Sequence, residues 1–408
     1  MDKKISILLI LAVAFLITGN LIGAGILGLP IQAGLDGLIP TLVGMVIVGA
    51  AMFYTAVILS KEAVGEREET FNFPSLYSNY LGTSGKWVAI LANLIILWGL
   101  LTAYLTGATT IITSLFHTHL PGAIVLIIFA LLITSLTACD IAVVRRYNAL
   151  LVVVMWISFA VIVAMSERYV EIKRFAYKDW GFLPMALPIM ITSFHFHNII
   201  PNVCHNLKWN FSIIWKTMLV GMLIGYLMNA MWVQVGIGAL PLTGGDISLV
   251  SAFEHNLPAT VPLSKEVKSS LFTTFSLLFA LLAISTSYLA NGRGLLGFIG
   301  DLTKNHFKVS SRVLILALSF GPPILISLIY PDIFLKALNI VGGIGIVVLF
   351  GVLPSIIAIM KARTAAKKVL AVTALTFFGF CLLFVLGQQF GLINIQPRVH
   401  MGPVNAGT

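Results

Sequence analysis

Side chains that could do chemistry are scarce in this chain, and they cluster in three places. Residues 187–208, LPIMITSFHFHNIIPNVCHNLK, place His195, Asn198 and Asn202 at i, i+3 and i+7, with His205 and Asn206 following. That spacing gives one polar helical face inside an apolar run. An ordinary histidine, with a pKa near 6.5, can carry a proton at physiological pH. His195 and His197 diverge by roughly 200° on a regular helix, so His195 is expected to share the Asn198 face. Residues 285–287, Ser285, Thr286 and Ser287, supply adjacent hydroxyls. Such oxygens suit a hard cation such as Na+, or they bond back to their own helix. The third place is TGNLIGAGILGLP, residues 18–30, with Thr18, Asn20, four glycines and a proline. Glycine and proline both weaken a helix interior. Either Gly19 and Gly23 form a G-x-x-x-G packing face, or the helix is broken and its freed backbone groups grip a ligand.

The elements that must position these residues lie in a membrane. Of 408 residues, 59% are hydrophobic and only 10% charged, against about 25% charged in soluble domains. Mean hydropathy is +1.01. The reading is an all-α polytopic membrane protein, one domain over 1–408. Eleven apolar runs are long enough to span a bilayer: residues 5–32, 38–60, 87–116, 121–139, 143–165, 183–204, 212–239, 268–291, 311–330, 333–360 and 367–390. The start MDKKISILLILAVAF looks like a signal peptide, but no A-x-A site follows, so a retained first helix is expected. The net charge of +10 sits at run ends and does not point to nucleic acid. With the N-terminus inside, 17 Lys and Arg fall on the inner side, among them Lys3, Lys4, Arg67 and Arg293, and 8 on the outer, among them Arg398. This bias predicts a cytoplasmic N-terminus and an extracytoplasmic C-terminus, against the basic stretch 167–179. Residues 65–86 are expected inside, with FPSLYSNYLG either a short amphipathic surface helix or part of a solvated linker. Residues 240–266 are expected outside, either capping a vestibule or as a solvated linker. Cys139, Cys204 and Cys381 show no disulfide or metal spacing.

The first and sixth runs both combine helix breakers with mid-membrane polar residues, five helices apart. Paired interruptions are a pointer to the binding site of a secondary transporter. Two repeats are expected, residues 5–165 and 183–360, plus an extra helix at 367–390. Five helices is an odd number, so the second repeat is inverted. A break at residues 23–28 would free N–H and C=O groups, with half-helix dipoles for a carboxylate and an ammonium.

IGAGILGLP and SFHFHNIIP, with the length and helix count, resemble the bacterial aromatic amino acid permeases, the tyrosine and tryptophan permeases of the hydroxy and aromatic amino acid permease family. The resemblance implies a leucine-transporter-type fold with discontinuous helices 1 and 6. It also implies proton-driven amino acid uptake through the bacterial cytoplasmic membrane. On that reading Gly23, Ala24, Gly25, Ile26 and Leu27 hold the amino acid head through backbone groups, and Thr18 and Asn20 orient that region or an ion. Ser193, His195, Phe196, His197 and Asn198 face the substrate, with Phe196 stacking on its ring. Tyr104 lies on a third-helix stripe with Asn93, Leu97 and Leu100. No Asp or Glu falls mid-span, since Asp36, Asp140, Asp301 and Asp332 lie at run ends. His195 is therefore the first proton carrier to test, and Na+ at Ser285, Thr286 and Ser287 is the alternative. Tyrosine is the favoured substrate, ahead of tryptophan and phenylalanine, with serine, threonine or another neutral amino acid as runner-up. No cofactor is expected. A membrane metalloenzyme built on HFH would need more ligands than this helix supplies. The absence of a G-x-x-x-x-G-K motif argues against a primary pump.

Overall fold

The computed structural model describes residues 6–66, 72–116, 120–138, 141–308 and 310–396, and these contain helices and no strand. Lys3, Lys4, Arg67, Cys139, Asp140 and Arg398 lie outside the described residues. The chain begins with α1 (Ile7–Leu21) and α2 (Ala24–Ala33), which meet at 55°. It continues through α3 (Leu38–Glu66), α4 (Phe73–Leu115), α5 (Gly122–Ala138) and α6 (Ile141–Ser166). Then come α7 (Leu183–Ser193), α8 (Ile200–Asn206) and α9 (Phe211–Ala239). Two short helices, α10 (Leu249–Glu254) and α11 (Thr260–Val267), precede α12 (Ser270–Leu302) and α13 (Arg312–Ile329). The last apolar run is α14 (Phe334–Ile340), a π-helical stretch (Val341–Val352) and α15 (Leu353–Met360), and α16 (Ala365–Gln389) follows it.

Among the described residues, nine helices are long and apolar enough to cross a membrane, ten with the bent α1–α2 pair. The 17-residue α5 is apolar but shorter. Each expected run corresponds to one of these segments or pairs. The differences are at the ends. FPSLYSNYLG is helical, the first of its two readings, but it continues into the third run across Gly82, whose φ of 65° only glycine adopts cheaply. One face of this entry turn is buried by Leu76 and Tyr77, and the Tyr77 hydroxyl donates to the Leu349 carbonyl at 2.6 Å. The eighth run extends past residue 291 to Leu302, because a helix needs internal hydrogen bonds rather than apolar side chains to continue.

Small residues set the packing around α1. Side chains Ile17 and Leu21 of α1 press onto Gly221 and Gly225 of α9, where an added Cβ would clash. The stretch 240–266 folds onto the bundle as α10 and α11, and the Ala259 amide donates to the Leu27 carbonyl at 2.8 Å. Asp36, beyond α2, is fully buried and receives the Thr41 hydroxyl. At the start of α4, Tyr80 and Lys361 both reach Glu62 of α3, at 2.6 and 2.7 Å. Burial alone would lower the Lys361 ammonium, but its hydrogen bonds to Glu62 and Tyr80 hold it above its ordinary pKa.

Candidate substrate site at the helix breaks

The first break is narrower than the sequence suggests. Helix α1 closes with the Ile22 amide bonded to the Thr18 carbonyl at 3.1 Å, and Gly23 is extended at φ −113°, ψ −153°. Residues 24–28 are helical. The freed groups are therefore the last carbonyls of α1 and the first amides of α2, because a helix leaves its terminal groups without internal partners. The start of α2 carries the positive end of its dipole and the close of α1 the negative end of its own. A Cβ on Gly25 would lie 2.9 Å from the Ser193 Oγ and 3.1 Å from its backbone N, so Gly25 lets α2 touch the end of α7. A Cβ on Gly19 would meet no atom within 4 Å. The G-x-x-x-G packing reading is thus overturned at Gly19, and the small-residue contact belongs to Gly221 and Gly225 of α9.

The second break runs from Phe194 to Phe196, followed by one 3-10 turn, His197–Ile199. Unwinding resets the helical phase. The His195 and His197 rings, expected to diverge, lie parallel within 5° at 6.0 Å, and both lean on the Phe350 ring at 5.0 and 5.1 Å. His197 is sealed in and pairs with the Thr55 hydroxyl at 3.0 Å. His195 keeps a buried Nε2 without a partner in the protein.

A cavity of about 490 Å³ opens where the two breaks meet. Of the residues singled out from sequence, Gly19, Asn20, Gly23, Ala24, Gly25, Tyr104, His195, Asn198, Thr286 and Ser287 line it, as does Leu100 of the α4 stripe. Thr18, Ile26, Leu27, Ser193, Phe196, His197 and Ser285 are not among the residues that line it. Each of these departures has a local cause. The Thr18 hydroxyl is 3.1 Å from the Ala14 carbonyl and 3.0 Å from that of Gly221, and Ser193 bonds back to Ile189 at 2.9 Å. Ile26 and Leu27 are fully buried in the body of α2, and Phe196 packs on His197 at 5.3 Å. Ser285 is on another face of α12 from the stripe that Thr286 begins. Thr286 donates to the Leu282 carbonyl at 2.8 Å, the back-bond that was the plainer of its two readings.

Sequence reasoning missed Thr192, Asn291 and Arg293 on the wall. Asn291 donates to the Tyr104 hydroxyl at 3.2 Å and to the Ser287 carbonyl at 3.0 Å, tying α12 to α4 across the cavity. The available signal was the i+4 spacing from Ser287 to Asn291 and the i+7 spacing from Thr286 to Arg293. The wall is polar around the breaks and apolar along α1, where Ala12, Phe15 and Leu16 contribute.

A bundle of apolar helices in which two interrupted helices meet at a cavity is the arrangement expected of a secondary transporter. Comparison with known proteins agrees. The profile of the tryptophan/tyrosine permease family matches residues 8–394, and the chain belongs to that family. The tyrosine-specific transport system 1 of Haemophilus influenzae is 27% identical over 354 residues, covering 86% of this chain and 87% of the relative. A tryptophan-specific transport protein of the same organism is 24% identical over 419 residues, covering 95% and 94%. Glutamine transporter 2 of Aliivibrio fischeri is 22% identical over 361 residues, covering 86% and 89%. The family consists of permeases, not enzymes.

Proposed function

We propose that this permease is a secondary carrier that imports an aromatic amino acid, tyrosine before tryptophan or phenylalanine, together with a cation, H+ before Na+. The observation that carries the reading is the α1–α2 junction, where bare helix-end amides and carbonyls face a cavity of amino acid size. The aromatic substrate is supported by the relatives named for tyrosine and tryptophan. The α-carboxylate sits at the Ala24 and Gly25 amides, a helix N-terminus suited to anions. The α-ammonium takes carbonyls at the end of α1. The ring lies among Leu100, Tyr104 and Met155, and Asn198 or Asn291 meets a phenol hydroxyl or indole N–H.

His195 is the proton carrier in this reading, since its ring is on the wall with Nε2 uncommitted. Na+ at Ser287 and Thr286 is the second reading, favoured by the position of both on the wall. Ser285 is dropped from it. A neutral amino acid other than an aromatic one is the alternative substrate, favoured by the relative named for glutamine.

Transport in this account alternates the exposure of one site. The cavity reaches along α1, and the α2 side is shut. Helices α1–α6 and α7–α15 are read as two inverted five-span repeats of the leucine-transporter type, with α16 appended, giving eleven spans. The N-terminus is cytoplasmic, the C-terminus extracytoplasmic and the membrane the bacterial cytoplasmic one. Counterflow in proteoliposomes tests this. Preloaded tyrosine should drive transient accumulation of labelled tyrosine, blocked by tryptophan and phenylalanine, and an imposed pH gradient should drive net uptake. Counterflow only with glutamine, serine or threonine would move the substrate. Uptake that follows a sodium gradient and ignores pH would move the ion.

A further inference from the structure

The cavity continues beyond the break. From Gly23 its wall follows α1 back to Ala12, about 16 Å along the helix. On α12 the wall follows Thr286, Ala290 and Arg293, one stripe at i, i+4 and i+7. Arg293 stands about 9 Å beyond Ser287 along that helix. Its Nε and Nη2 are buried and have no hydrogen-bond partner in the protein. No carboxylate lines this cavity among the described residues, and Arg293 is the charged residue on its wall.

Arg293 is half-buried, and leaving two of its guanidinium nitrogens buried without a partner is costly. Its planar fork matches a carboxylate in bidentate geometry. In this lower reach of the cavity α1 supplies Ala12, Phe15 and Leu16, three exposed apolar side chains. Ala290, small and exposed, leaves room one turn above the guanidinium. The combination of one cation with an apolar wall fits an amphiphile with a carboxylate at one end and a ring at the other. Resting on the carrier reading above, we propose that Arg293 docks the α-carboxylate of the transported amino acid at a second subsite. It lies between the break and the face on which α1 begins. The amino acid passes from the α2 amides to this station on leaving, and meets it first on entering from that face.

Sided kinetics test this. Wild type, Arg293→Gln and Arg293→Lys are reconstituted and sorted by orientation, and half-saturation for tyrosine counterflow is measured from each face. Arg293→Gln should raise it about 10-fold at the face where α1 begins, the loss of a charge-assisted pair, and by no more than about 2-fold at the other. Arg293→Lys should recover part of that loss and serves as the second variant if the glutamine form does not fold. Tyrosinamide, which lacks the carboxylate, should inhibit wild type and Arg293→Gln alike. Equal shifts at both faces, no shift, or parallel weakening of tyrosine and tyrosinamide would overturn the proposal. So would competition at that face by chloride or phosphate in place of tyrosine, which would assign the guanidinium to a free anion. If wild type shows no counterflow with any amino acid, the carrier reading fails and this proposal with it. Wild-type counterflow with an unmoved variant removes Arg293 alone.

Discussion

The two sides of the α1–α2 junction are built differently. On the α1 side Ala12, Phe15, Leu16, Asn198 and Ala290 are exposed, and Gly19 looks into open space. On the α2 side every residue from Ala24 to Ala33 is buried, and the Leu27 carbonyl is taken by the Ala259 amide. Beyond α2 the rings of Phe159, Trp232 and Phe279 close on one another at 5.3 to 5.9 Å. That side also buries polar atoms with no partner in the protein. They are both amide atoms of Asn229, the Trp232 Nε1, and the hydroxyls of Thr260, Ser264 and Ser276. Leaving such a group unsatisfied costs about 1–3 kcal/mol. The open side also buries unpartnered atoms, His195 Nε2 and Arg293 Nε and Nη2, but these belong to residues on the cavity wall, whereas Asn229, Trp232, Thr260, Ser264 and Ser276 do not line it.

The largest effect expected from this contrast is in chemical reactivity. In a background without the native cysteines, Gly19→Cys should react with a water-soluble maleimide about 100-fold faster than Ser276→Cys, the ratio set by burial. Equal rates would mean that the two sides do not differ in solution. Next comes the contrast within the second break, between a histidine on the wall and one sealed by Thr55. His195→Gln should lower pH-driven accumulation about 10-fold and leave counterflow nearly intact, since a coupling residue acts on the gradient and not on exchange. His197→Gln should chiefly lower thermal stability. Undiminished pH-driven accumulation in His195→Gln would remove His195 from the coupling role. The smallest effect is at Asn291. Asn291→Ala takes one donor from Tyr104 and should weaken tyrosine binding about 5-fold, the worth of one hydrogen bond. A change within experimental error would leave Asn291 as a helix tie only.

The breaks themselves were legible in the sequence. TGNLIGAGILGLP and SFHFHNIIP put helix breakers and polar groups where a bilayer tolerates neither without a use, and both helices are interrupted there. What faces the cavity was less legible, for a physical reason. Face assignments assume a continuous 100° step, and the unwound residues Phe194–Phe196 discard that phase, so His197 and Phe196 turn inward while Asn198 stays on the wall. Ile26 and Leu27 were misplaced because the break is a single link at Ile22–Gly23, after which helix resumes. Asn291 and Arg293 were hidden because their meaning depends on which face of α12 meets α4 and α1, a tertiary fact that spacing alone does not contain. Arg293 also fell beyond the apolar run, where a cation reads as a loop residue.

The amino acid is proposed to sit at the α1–α2 junction. Equilibrium binding of labelled tyrosine to purified wild type, Gly379→Ala and Gly25→Val tests it most directly. Gly379 of α16 is not on the cavity wall and a Cβ there meets no neighbouring atom within 4 Å, so Gly379→Ala should bind like wild type. Valine at 25 would drive α2 off Ser193 and distort the amides, and binding should fall about 100-fold, a site-distorting overpacking effect. Wild-type affinity in folded Gly25→Val would contradict the account and place the substrate elsewhere in the bundle.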